Sequence, residues 1–64
     1  MSDIRRDDHL IVAQVALESV INDPQAFAAT TIIAVYEVAR SAGVHESYLE
    51  MAQDIVEDAR REMV

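Results

Sequence analysis

Apolar residues recur along this chain with the three-and-four spacing of α-helices, and two breaks divide the rhythm. The first is Asn22-Asp23-Pro24, where an aspartate suited to N-capping precedes a proline suited to the first helical position. The second is Gly43, the only glycine, placed where a helix would close in a left-handed cap. Val44 follows it and can supply the hydrophobic contact that accompanies such caps. The pattern predicts a single all-α domain of three helices, over 3–22, 24–42 and 46–63, with very short connections. No repeat, low-complexity run or linker interrupts it.

The three helices differ in how much of their circumference is apolar. In the third, Tyr48, Leu49, Ala52, Ile55, Val56, Ala59 and Met63 share one stripe about 120° wide at 100° per residue. Glu46, Glu50, Gln53, Asp54, Glu57, Asp58, Arg60 and Arg61 face away, as on an ordinary surface helix. Ser47 with Glu50 three residues on has the form of a capping box, which would start the helix at Ser47. The first helix is broader: Leu10, Ala13, Leu17, Val20 and Ile21 form the main stripe, while Ile11 and Val15 project from a second side. The second is broader still. Phe27, Ala28, Thr31, Ile32, Val35, Val38, Ala39 and Ala42 cover one half, and Ala29, Ile33 and Tyr36 carry the apolar surface past it. Only Thr30, Glu37, Arg40 and Ser41 leave a polar strip.

A helix apolar nearly all round is normally buried on several sides, and two partner helices cannot cover it completely. Length sharpens the point. A 64-residue chain makes one domain and buries only about 60% of the surface its unfolded form exposes. It has no cysteine, so no disulfide compensates and no thiol serves metal or redox chemistry. The sequence therefore predicts a homodimer, with Ile11, Val15, Ala29, Ile33 and Tyr36 as the self-association surface. The longest uncharged stretch, Pro24 to Tyr36, is too short to span a bilayer, and the aspartate-bearing start is no signal peptide. A cytoplasmic location is the expectation.

Twelve acidic residues stand against five arginines and no lysine, a formal charge of −7. Phosphate repels such a chain, so nucleic acid is not the expected partner; a basic protein surface is. The acids concentrate on the third helix, where Glu46, Glu50, Asp54 and Asp58 recur every fourth residue with Glu57 alongside. Like charges at that spacing cost a helix a few tenths of a kcal/mol per pair, and a Glu57–Arg61 pair recovers only part of it. A stripe that opposes helix stability is a candidate site for a basic partner.

The segment Val38-Ala39-Arg40-Ser41-Ala42-Gly43-Val44-His45-Glu46-Ser47-Tyr48-Leu49 resembles the core of a helix-turn-helix DNA-binding domain. Ala39, Gly43, Val44 and Leu49 match that pattern in spacing, and Ala52 fits its next buried slot. The resemblance covers about 15 residues and implies a dimeric regulator whose helix near His45 reads a groove through Ser47 and Gln53. It departs from the pattern where His45 replaces a capping serine. It departs again where Glu46, Glu50, Asp54 and Asp58 would face phosphate.

Other chemistry is scarce. Asp7, Asp8 and His9 adjoin one another, but neighbouring helical residues point in different directions, so neither a metal site nor a cofactor is expected. No hydroxyl has a histidine and carboxylate at catalytic spacing, and one glycine cannot build a phosphate loop. His45 reads as a capping or surface residue. The expectation is a non-enzymatic adaptor or inhibitor that meets a basic partner through Glu46, Glu50, Asp54, Glu57 and Asp58. Its size and charge are analogous to phage- or plasmid-type inhibitors of nucleic-acid machinery. The alternatives are the helix-turn-helix regulator and a structural subunit of a larger assembly.

Overall fold

The computed structural model describes the backbone of residues 6–63 and the side chains of residues 8–63. Three α-helices run α1 (Arg6–Asn22), α2 (Ala29–Ala42) and α3 (Glu46–Glu62), with one 3-10 turn at Pro24–Ala26 between the first two. The all-α expectation holds. The expected helix start at residue 3 lies outside the described residues.

The second helix begins later than the sequence pattern suggested. Pro24 opens only a single 3-10 turn, closed by the Phe27 amide donating to the Pro24 carbonyl at 3.2 Å. Phe27 is then extended at φ −121° and ψ 144°, and Ala28 at φ −69° and ψ 153° is the residue from which α2 starts. The Asp23 side chain makes no capping bond. Proline presets a turn but does not oblige the chain to continue as α-helix. Here the chain straightens through Phe27, whose ring packs against the core. Ala28 carries no side-chain acceptor, so α2 starts without the cap that Asp23 seemed placed to give.

The second corner follows the sequence closely. Gly43 sits at φ 91° and ψ 26°, the left-handed region open to glycine. The Val44 amide donates back to Ala39 at 3.1 Å and the Gly43 amide to Arg40 at 3.3 Å, the paired bonds of a Schellman closure. Val44 is buried as the hydrophobic contact of that closure. Turning Val44 inward makes His45 the N-cap of α3. Its Nδ1 accepts from the Ser47 amide at 3.1 Å and lies 2.9 Å from the Ser47 hydroxyl. The expected capping box at Ser47 and Glu50 is therefore not formed. The helix starts at Glu46, where the 46–63 range placed it, and the imidazole of His45, read from the sequence as a capping or surface residue, is its cap.

The core holds Ala13, Leu17, Val20, Ile32, Ala39, Val44, Ala52, Val56 and Ala59. Alanines on each helix let the backbones approach closely. Leu17 and Val20 are the largest side chains without exposure. α3 packs on both α1 and α2 of its own chain, and the Gln14 amide joins α1 to α3 by donating to the Tyr48 hydroxyl at 3.4 Å, while also donating to Glu18 within α1 at 3.1 Å. Met63, expected on the buried stripe, lies beyond the end of α3 and is 55% exposed. The buried face of α2 centres on Ile32 and Ala39, so Ala28, Thr31 and Val38 are exposed rather than covered. Among the described residues no polar or charged side chain is buried.

Candidate interaction surfaces

Two surfaces of opposite character emerge from this packing. The first is the outer face of α3. Glu46, Glu50, Asp54, Glu57 and Asp58 are all exposed there, and from Glu46 to Asp58 they span about 18 Å at 1.5 Å per residue. Counting Glu62 against Arg60 and Arg61, α3 carries six acids and two bases, a net −4 over residues 46–62. α2 carries Glu37 and Arg40 and is neutral. Arg61 turns to Asp58 at 3.1 Å rather than to Glu57, which corrects the expected Glu57–Arg61 pair. Both partners of that pair are mostly in solvent, so it adds little to stability. Among the described residues, Glu46, Glu50, Asp54 and Glu57 have no side-chain hydrogen bond or ion pair.

The second surface belongs to α1 and α2. Ile11 (59%), Val12 (68%) and Val15 (55%) are exposed on α1, and Val38 (59%) on α2. Among the described residues, these with Met51 and Met63 make six large apolar side chains more than half exposed, while five side chains larger than alanine are buried: Leu17, Val20, Ile32, Val44 and Val56. Between α1 and α2 lies an open groove of about 1240 Å³, walled by Val12 and Ala16 on one side and Ala34 and Val38 on the other. His9, Glu37 and Ser41 also line it, and no residue of α3 does.

The residues expected to self-associate divide between two environments. Ile11 and Val15 stand on the face of α1 turned away from Leu17 and Val20. Ala29, Ile33 and Tyr36 are half-buried against the core, so much of their apolar surface is already covered within the chain. Sequence reasoning missed Val12 and misplaced Val38 on the buried half of its helix. The signal available was the run of small residues, Ala16 and Ala34 with Ser41, that leaves each valine standing above its surroundings.

Around the Gly43 corner, Ala39, Val44 and Ala52 are buried and Leu49 is half-buried. Ser47 and Gln53 are exposed among the acids of α3. At the start of α1, Asp8 and His9 are exposed, while the side chain of Asp7 lies outside the described residues. Among the described residues no three histidine, cysteine or acidic side chains gather as metal ligands, and no helix is long and apolar enough to cross a membrane. No protein-family model matches the chain, nor does any curated protein or solved structure.

Proposed function

We propose that this chain is a small acidic protein-interaction module, an adaptor or inhibitor that meets a basic surface of a partner protein through α3 and associates with itself through α1 and α2. The observation that carries the reading is the segregation of charge: net −4 on α3, and an apolar, nearly neutral groove to which α3 contributes nothing. Four of the five ridge carboxylates are free of intramolecular partners among the described residues, so a partner does not have to break existing bonds to reach them. Five carboxylates spanning about 18 Å stand about 4.5 Å apart on average, roughly three-quarters of the charge density of one DNA strand, which carries a charge per about 3.4 Å. A protein groove that ordinarily holds nucleic acid is thus a fitting partner surface.

The test uses purified nucleic-acid-binding proteins with basic grooves, titrated against the labelled chain by fluorescence anisotropy with duplex DNA as competitor. Binding that DNA displaces, lost in the double variant Glu50→Arg/Asp54→Arg while helix content is kept, is the expected result. Equal binding by the variant would remove the ridge from the mechanism. The burial pattern at Ala39, Val44 and Ala52 favours a second reading, a helix-turn-helix regulator, although the acids of α3 oppose phosphate. That reading requires retardation of random duplexes by the unmodified chain at moderate salt.

A further inference from the structure

We propose that the groove between α1 and α2 is where two copies of this chain meet, with Val12 and Val38 of each seated against the small side chains of the other. The proposal rests on the self-associating part of the reading above. It moves the contact away from Ala29, Ile33 and Tyr36, which the chain's own core already engages, and from Ile11 and Val15, which do not line the groove.

Shape comes first. Val12 at 68% and Val38 at 59% exposure stand on opposite walls, with the smaller Ala16 and Ala34 one turn away along the same two helices. A twofold operation on such a face brings protruding valines over alanine hollows, the packing that lets four helices close into one bundle. A second copy supplies the apolar match, because the face carries both parts of that fit. Charge selects the same arrangement. Two copies meeting through α3 would bring net −4 against net −4. Meeting through the groove places both acidic ridges on the outside, with two layers of helix between them. Each layer is about 8–10 Å deep, so the ridges lie more than a Debye length of about 8 Å apart.

Area sets the strength. α2 is 14 residues, about 21 Å long, and two adjacent helices are about 20 Å wide. That footprint of about 420 Å² per copy, about 840 Å² across the pair, lies below the range of standard specific interfaces. A reversible dimer is expected, forming with rising concentration rather than persisting at any dilution.

Sedimentation equilibrium from micromolar to millimolar protein tests this, with circular dichroism confirming that each variant keeps its helices. Wild type is expected to move from monomer to dimer. Val12→Glu and Val38→Glu, each burying an unpaired carboxylate in the interface, are expected to raise the dimer Kd about 100-fold or more. Val38→Ser serves if the glutamate variant loses helix content, and is expected to weaken the dimer in the same direction. Val15→Glu, on the outer face of α1, is expected to leave the Kd nearly unchanged, and Glu50→Arg/Asp54→Arg, which lessens the repulsion between copies, is expected not to raise it. Salt separates the two surfaces: screening is expected to tighten the dimer of like-charged chains and to loosen ridge binding to a basic protein. A wild type that stays monomeric at millimolar concentration overturns the groove contact, as does a dimer broken by Val15→Glu but not by Val38→Glu. A monomer that still binds basic proteins leaves the ridge standing without the groove, and a dimer that binds none does the reverse.

Discussion

Replacing Gly43 by alanine isolates one physical quantity, the cost of a left-handed backbone in an L-residue. At φ 91° the residue lies where a β-carbon meets its own backbone, a penalty of about 1–2 kcal/mol. Nothing else lies within 4 Å of that β-carbon, so no clash adds to the figure. The Val44-to-Ala39 and Gly43-to-Arg40 bonds involve only backbone atoms and survive the change. Alanine also restricts the unfolded chain, an effect of about 0.4–1 kcal/mol in the other direction, leaving a net loss of about 1 kcal/mol. For a domain of this size that lowers Tm by about 4–8 °C. Asparagine, which tolerates the left-handed region better, is expected to lose less than alanine. Urea and thermal unfolding followed by circular dichroism at fixed protein concentration measure both variants. A Gly43→Ala protein as stable as wild type would mean that the corner is not left-handed. A loss above about 3 kcal/mol would mean that the added methyl meets atoms the structure places elsewhere.

Two further perturbations probe the core and the start of α3. Leu17→Ala, at a side chain with no exposure, is expected to cost about 2–5 kcal/mol against a total of about 3–5 for so small a core. The variant should be largely unfolded at low concentration; sharp, dispersed amide NMR signals from it would refute the placement of the core. His45→Ala removes the acceptor for the Ser47 amide and is expected to cost about 0.5–2 kcal/mol, while His45→Asn keeps most of the stability. Hydrogen exchange provides the check: the Ser47 amide should lose protection in the alanine variant while α1 amides keep theirs, and unchanged protection at Ser47 refutes the cap.

Some of this fold was legible because a single residue type dictated the backbone. Gly43 announced its corner, since few residues other than glycine adopt a positive φ cheaply, and the buried stripe of α3 followed from clean periodicity between acid-rich flanks. The start of α2 was not legible. Asp23-Pro24 has the composition of a helix start, but the choice between an α-helix and one 3-10 turn was made by where Phe27 had to reach, a tertiary matter. The cap of α3 was half legible. His45 was read as a capping or surface residue, but the Ser47–Glu50 spacing offered a second cap, and the inward turn of Val44 decides for His45. The exposed set on α1 and α2 was partly legible. Apolar excess is a matter of composition, whereas which valine stays uncovered depends on the angle at which the helices meet. That is why Val12 and Val38 emerged only with the fold, while the acids of α3 are exposed where periodicity placed them.

The two corners differ in stiffness. Gly43 to His45 is a three-residue connection locked by the Schellman bonds and by the imidazole, so α2 and α3 behave as one elbow. Asp23 to Ala28 is twice as long, holds one turn of 3-10 helix, and leads into α2 without a side-chain cap. A longer joint without a side-chain cap is expected to yield first when a structure breathes, which puts the expected hinge there. Swinging about it, α1 would uncover Ala13, Leu17 and Val20 while the elbow stayed shut. Any body seated across the groove touches both α1 and α2, spans that hinge, and acts on it as a splint.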